Sequence, residues 1–339
     1  MPDSEEYIPD SERVCVVIPC YRVAPFIEKV IQQMPPWVSK IVAVDDCSPD
    51  DTGEALGRID DPRLLVVRHE KNQGVGGAML TGYRKGIEQG ATILVKMDGD
   101  DQMPVEHLYS LIQPIVSGRS DYSKANRFVQ TGPLQQMPLM RRIGNLGLSF
   151  LTKAASGYWN IFDPTNGYTA IDADVCGAID DSQVHHGYFF ESGMLIELNL
   201  QRAVVADVDV PARYGNEESS LSILKTLIEF PVHLFRLFLR RIWQRYFVRN
   251  FSVASLFLVA GLVLMIFGVT WGAVFWAISV KAGVAATTGT VMIAVLPIML
   301  GFQLLLQFVV FDVQDVPRQV KARRAESRRL AAVEQLRRR

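Results

Sequence analysis

The sequence predicts an α/β domain built on a mostly parallel sheet, followed by an amphipathic helix and a two-helix membrane hairpin. Three observations predict it. Short β-branched apolar runs alternate with helical patterns from Val14 to Val210, the spacing of strands joined by helical crossovers. Several of those runs end in acidic residues, as strands do when they deliver carboxylates to the C-terminal edge of an open sheet. Between Ser252 and Phe311 a single charge, Lys281, separates two uncharged apolar stretches.

The elements follow in order. Residues 13–20 (RVCVVIPC) form a first strand, and residues 26–34 form a helix stopped at Pro35-Pro36. Residues 40–44 (KIVAV) form a second strand ending in Asp45 and Asp46, after which Ser48 and Asp50 serve as turn and cap residues for a helix over 52–59. A third strand, 64–67, leads into a Gly-rich turn and a helix. Gly74-Val75-Gly76-Gly77 is not a dinucleotide fingerprint, because Met79 stands where the third glycine belongs and the turn does not follow the first strand. It reads either as a close approach to a nucleotide or as simple turn chemistry. The fourth strand runs to Asp98. Further on, 106–116 is helical, 123–127 ends a strand at Arg127, 143–155 is an amphipathic helix opened by Arg141 and Arg142, 188–200 is a helix with Glu191 near its start, and 204–210 is a strand.

The 339 residues carry a formal net charge of −1, unevenly spread: acids are frequent early, and arginines cluster at 236–249 and 318–339. That basic tail reads as surface or lipid-headgroup contact, not as a nucleic-acid site. Cys15, Cys20, Cys47 and Cys176 lack Cys-x-x-Cys spacing and read as small buried hydrophobes in a reducing compartment. The N-terminus, MPDSEEYIPDSER, is acidic and polar, unlike a signal peptide.

The stretch 91–104, ATILVKMDGDDQMP, carries the chemistry. In an extended chain Asp98 and Asp100 point the same way. Two hard oxygen ligands there suit Mg2+ or Mn2+ bridging a nucleotide diphosphate. Taken alone, Asp-x-Asp is mostly a solvated acidic turn, so its context decides.

Each apolar stretch flanking Lys281 exceeds the roughly 20 residues that span a bilayer. Arg236, Arg240, Arg241, Arg245 and Arg249 precede the first span, while Arg318, Lys321, Arg323 and Arg324 follow the second. The positive-inside rule then places both termini and the α/β domain in the cytoplasm, with the Lys281 turn outside a multi-pass inner-membrane protein. Residues 221–247 carry Leu, Phe, Ile and Trp243 on one side and Arg on the other, the composition of an interfacial helix. The domain reading is a tail over 1–12, the catalytic domain over 13–218, the interfacial region over 219–250, the spans over 251–312 and a basic cytoplasmic tail over 313–339.

The ordered motifs VVIPCY, VDDCSPDDT, KNQGVGGA, MDGDDQMP, DPTNGYTA and VPARYG resemble glycosyltransferase family 2, more narrowly its polyprenyl-phosphate glycosyltransferases. The resemblance covers about residues 14–215. It implies the GT-A fold, a Rossmann-like, mostly parallel sheet. It places Pro19 and Tyr21 at the nucleoside, Asp46 at the base or ribose, and Asp98, Asp100 and Gln102 at the metal and diphosphate. Arg127 matches an arginine near the acceptor phosphate, and Asp163 matches the acid near the reacting sugar. Two departures stand out: Arg22-Val23 replace the usual Asn-Glu, and ARYGNEESSLS lacks the usual Ser-Lys lysine, leaving Arg213 for the acceptor phosphate.

These readings predict an inverting, Mg2+- or Mn2+-dependent hexosyltransferase of the cell envelope. It moves a sugar from a nucleotide sugar, UDP favoured over GDP, to undecaprenyl or another polyprenyl phosphate. The acceptor is already largely ionised at neutral pH, so the site needs cations more than a strong base. Arg127, Arg141, Arg142 and Arg213 are candidates for them. A homo-oligomer is compatible with the hairpin; nucleic acid is not an expected partner. Two alternatives are a processive polysaccharide synthase and a non-catalytic nucleotide-binding scaffold. The first typically has more spans and a Gln-x-x-Arg-Trp motif, whereas Ile242 precedes Trp243 here. The intact Asp98, Asp100 and Gln102 count against the second.

Overall fold

The computed structural model describes residues 8–126, 139–187, 189–211, 223–324, 326–328 and 330. Its first unit comprises residues 1–238 and 317–339, its second residues 239–316.

In the first unit the apolar runs form strands β1 (Val14–Cys20), β2 (Val38–Asp45), β3 (Leu64–Arg68), β4 (Ile93–Lys96), β5 (Tyr122–Asn126), β6 (Thr169–Asp172) and β7 (Val205–Asp209). Helices α1 (Ile27–Gln32), α2 (Thr52–Arg58), α3 (Gly74–Glu88) and α4 (Leu108–Val116) connect the first five, with a 3-10 turn, Val105–His107, ahead of α4. Then come α5 (Leu139–Ser156), the short α6 (Ala173–Gly177) and α7 (Phe190–Leu200). The strand order is β3-β2-β1-β4-β6-β5-β7. All neighbours pair in parallel except β6, which runs antiparallel between β4 and β5.

β1, β2 and β4 are almost wholly buried, which is why they read as continuous apolar runs and not as alternation. One core packs Val16, Ile18, Ile41 and Val95 against Ile27, Ile31, Leu108 and Ile112. The reversed β6 ties the two ends of the sheet together. Thr169 pairs with Lys96 at the C-terminal edge of β4, and Asp172 pairs with Ile93 at the opposite edge.

That opposite edge holds a surprise for the basic tail. Arg328 is buried, donating to Glu12 at 2.9 and 2.8 Å and to Asp172 at 2.5 Å. The Asp121 carboxylate accepts the backbone amides of Lys321, Ala322 and Val204, each at 2.7 Å. This part of the tail is a component of the first unit, correcting its reading as lipid or solvent contact, and Glu12 is likewise no loose terminus.

The helix α8 (Ile223–Trp243) begins in the first unit and ends in the second, so the division falls inside the expected interfacial region. Val232, Phe235, Leu239 and Trp243 are exposed, an apolar stripe at helical spacing. Two of its expected headgroup cations have other partners. Arg241 is buried in a two-bond pair with Asp312 at 2.7 and 2.9 Å, and Arg245 pairs with Asp315 at 2.8 Å. The second unit is dominated by α9 (Val253–Ala282) and α10 (Thr288–Gln314), both long and apolar enough to cross a membrane. Small residues let them pack closely: a Cβ on Gly268 would stand 2.7 Å from the Ala294 carbonyl oxygen, and one on Gly301 2.8 Å from that of Gly261.

Candidate active site

The C-terminal ends of the parallel strands and the loops behind them build this edge of the sheet. Pro19 lies opposite Val44 near the end of β1, and the next residues past that strand, Tyr21 and Arg22, are exposed. The Arg22 guanidinium lies 5.5 Å from the centre of the Tyr21 ring. Beyond β2, Asp46 is buried. Its Oδ1 accepts the Gln73 amide at 2.8 Å and meets His69 Nδ1 at 2.7 Å, while Oδ2 accepts the Gly74 amide at 2.8 Å. Asp46 therefore anchors the start of α3, where a carboxylate also suits the helix dipole.

The Gly-rich turn gets its composition from a neighbouring loop. The Gly76 and Gly77 amides donate to the His186 carbonyl at 2.7 and 3.3 Å. A Cβ on Gly76 would stand 2.3 Å from the His185 carbonyl oxygen, and Gly74 has φ +80°. The close approach is to the His185–His186 backbone. Cys47 is exposed, in contrast to the other cysteines; burial pushes the Cys15 thiol up to about 12.

β4 ends at Lys96, two residues earlier than expected. Asp98 lies beyond it and Gly99-Asp100 form a turn, so the alternation argument for Asp98 and Asp100 does not hold. A tight turn groups these residues instead: the Gln102 amide donates to Asp100 Oδ1 at 3.1 Å, and Asp101, at φ +63°, pairs with Lys29.

The sequence reading assigned no role to Lys96 or to Glu191. The Lys96 side chain is 2% exposed, and its ammonium lies 3.0 Å from Asp98 Oδ1 and 3.1 Å from Glu191 Oε1 on α7. Burial alone would push its pKa down; the two carboxylates more than reverse this and hold it above the usual lysine value. The available signal was a lysine inside ILVK, since a charge in a buried strand requires partners.

Register continues the polar row. Lys96 and Lys124 both pair with Thr169, and Lys124 pairs with Asp207. The buried Lys124 ammonium donates to the Asn166 carbonyl, supporting the Asp163–Gly167 turn from below. Asp163 is buried; its Oδ1 accepts the Thr165 hydroxyl at 3.4 Å, and its carbonyl accepts the Asn166 amide at 3.4 Å. Asp207 Oδ2 accepts the Phe162 amide at 2.5 Å. Burial, reinforced by the Asp163 charge, pushes the Asp207 carboxyl up to about 6. The structure thus places Asp163 beside Asp207 and Asp98 beside Lys96 and Glu191. Arg141 and Arg142 fall on α5; Arg127 and Arg213 lie outside the described residues.

Among the described residues no three His, Cys, Asp or Glu side chains form a closed metal centre. The donor set nevertheless fits Mg2+ or Mn2+, which are held by one or two carboxylates with phosphate and water oxygens completing the shell. Asp98, 35% exposed, offers such a carboxylate.

Comparison with known proteins agrees with this architecture. Residues 15–179 match glycosyl transferase family 2. The chain is 32% identical to the undecaprenyl-phosphate mannosyltransferase of Micrococcus luteus over 211 residues, 61% of this chain and 85% of that protein. It is also 32% identical to the polyprenol monophosphomannose synthase of Mycolicibacterium smegmatis, over 62% of this chain and 81% of the relative. Identity is 27% with the UDP-N-acetylglucosamine–dolichyl-phosphate N-acetylglucosaminyltransferase of Methanococcus voltae, covering 59% and 86%. Glucosyl-3-phosphoglycerate synthase from Mycobacterium tuberculosis, solved with Mn2+, UDP-glucose and phosphoglyceric acid, shares the fold at TM-score 0.50 and 19% identity, over 68% of this chain and 79% of the other. With a sheet of this order, its acids gathered at the C-terminal edge, and two relatives at this identity over most of their length, the chain belongs to glycosyltransferase family 2.

Proposed function

We propose that the protein is a membrane-bound, inverting glycosyltransferase that moves a sugar from a nucleotide sugar to polyprenyl phosphate, with its catalytic domain on the cytoplasmic face. The carrying observation is that three relatives, one named for N-acetylglucosamine transfer and two for mannose, all name a lipid-phosphate product or acceptor. The two long apolar helices and the exposed Val232–Trp243 stripe support an acceptor that stays in the bilayer.

In this reading Pro19, Tyr21 and Asp46 border the nucleoside, and Asp98, Asp100 and Gln102 hold Mg2+ or Mn2+. A cation held there would supply charge neutralisation for the departing diphosphate. Asp163 orients the acceptor or an arginine beside it. Arg127, Arg141, Arg142 and Arg213 offset the acceptor phosphate. Attack opposite the leaving group inverts the anomeric centre. The donor is read as a UDP-sugar, although the relatives divide between N-acetylglucosamine and mannose transfer.

The test is a screen of UDP- and GDP-sugars with undecaprenyl phosphate and membranes containing the full chain, reading lipid product by mass. Transfer should require a divalent cation and fall at least a hundredfold in Asp98→Asn. Product that forms only on oligosaccharide acceptors would overturn the lipid-phosphate reading, and full activity of Asp98→Asn and Asp100→Asn would overturn the metal reading.

A further inference from the structure

Asp98 is the residue on which the metal reading turns, and it is not a freely rotating surface carboxylate. One oxygen is committed to the Lys96 ammonium at 3.0 Å, and the other is what the site can offer a cation. Lys96 is itself constrained on every side that matters. It is 2% exposed, it belongs to β4, and Glu191 fixes it from α7 at 3.1 Å. Gly167 closes the cluster from above: a Cβ there would stand 2.5 Å from the ammonium nitrogen, 3.4 Å from Glu191 Oε1 and 3.5 Å from Asp98 Oδ2. Gly167 is not among the residues with positive φ, so the proximity of this cluster is what excludes a side chain there. The turn carrying Asp163 is therefore seated directly on the ion cluster that holds Asp98.

We propose that Lys96 is a positioning residue for the metal–diphosphate end of the site: clamped by Glu191 under Gly167, its ammonium sets the orientation in which Asp98 receives the cation. This role rests on the transferase reading above. Glu191 keeps the ammonium in place when Asp98 shares its charge with a cation, and the missing side chain at Gly167 leaves the ammonium the space it occupies. Groups that orient a metal ligand characteristically change metal affinity or activity 10- to 100-fold when removed.

Orientation and charge predict opposite signs. Removing a nearby positive charge strengthens divalent-cation binding by Coulomb attraction alone, whereas losing the orienting contact weakens it. Mn2+ binding to the full chain in detergent micelles, followed by electron paramagnetic resonance with UDP and, in parallel, with GDP, separates them. Lys96→Met should weaken Mn2+ affinity about tenfold. Gly167→Ala retains the lysine but displaces its ammonium, and should weaken Mn2+ binding by a similar factor. Methionine is one atom shorter than lysine and leaves room for the alanine methyl, so the double variant should bind Mn2+ no worse than Lys96→Met. Unchanged or tighter binding in Lys96→Met overturns the role, as does full additivity in the double variant. Should Lys96→Met fail to fold, Gly167→Ala alone decides: wild-type affinity in that variant overturns the role. Wild-type protein that binds no Mn2+ with either nucleotide breaks the metal reading itself, a result distinct from wild-type binding that Lys96→Met preserves.

Discussion

Among the described residues of the first unit, two cations are each held between two carboxylates, one at either edge of the same sheet, and they have different fates. At the C-terminal edge Lys96 sits between Asp98 and Glu191, whose side chains are 35% and 15% exposed. At the opposite edge Arg328 sits between Glu12 and Asp172, and all three side chains are at most 2% exposed. The elementary chemistry is shared: a buried cation must be paired, and two acids neutralise it. Access differs. A carboxylate that keeps an exposed oxygen can take a ligand, while one sealed on all sides can only fasten its chain to another. The first clamp therefore belongs to the candidate site, and the second fastens the segment after α10 to Glu12, two residues before β1 and 316 positions away.

Breaking the sealed clamp should have the largest effect on stability. Arg328→Met leaves Glu12 and Asp172 buried without their cation, a change worth about 3–5 kcal/mol. Thermal unfolding of the detergent-solubilised chain should show it as a fall of roughly 10 °C in the catalytic domain. Equal stability of variant and wild type would mean the tail contributes nothing to the fold.

A smaller stability effect with a larger functional one is expected at the open clamp. Glu191→Gln keeps the shape but removes one of the two charges on Lys96. Stability should fall by about 1 kcal/mol, whereas initial transfer rates should fall about tenfold. A variant that loses stability but keeps its rate would make this clamp structural, like its counterpart.

The smallest effects are in pH dependence. Burial alone would raise the Glu12 carboxyl, but the Arg328 and Thr92 hydrogen bonds and the Arg328 charge hold it below its usual 4.5. The unfolded chain then binds the proton more readily, so this contribution is fully present above pH 4.5 and disappears as pH falls through the folded value. The stability difference between wild type and Arg328→Met should narrow on acidification. Asp207 has the opposite sign. Its carboxyl is raised from 3.8 to about 6, so the folded state holds the proton more tightly and stability falls as pH rises across that window. Asp207→Asn should flatten that slope and raise the neutral-pH unfolding midpoint by about 2 °C; an unchanged pH profile would remove Asp207 from the account.

Much of the architecture was legible because it is local. Apolar runs such as VCVVI and ILVK mark buried strands, acids after them mark the ligand edge, and long uncharged stretches mark membrane-compatible helices. Periodicity and composition need only neighbours in the chain. Pairing does not. Asp46 reads as a nucleoside contact, and the structure adds that both its oxygens also hold the start of α3; the tail reads as surface or lipid-headgroup contact, yet Arg328 closes the far edge of the sheet. Asp98 and Asp100 were grouped by an alternation that a turn replaces. By itself the sequence determined which segments are buried, where the acids emerge and which helices suit a membrane, because burial leaves a hydropathy pattern in consecutive residues. Only the tertiary structure decided which cation neutralises which acid and which carboxylate stays open. Those outcomes depend on contacts between β4 and α7, and between residue 12 and residue 328, that no local pattern records.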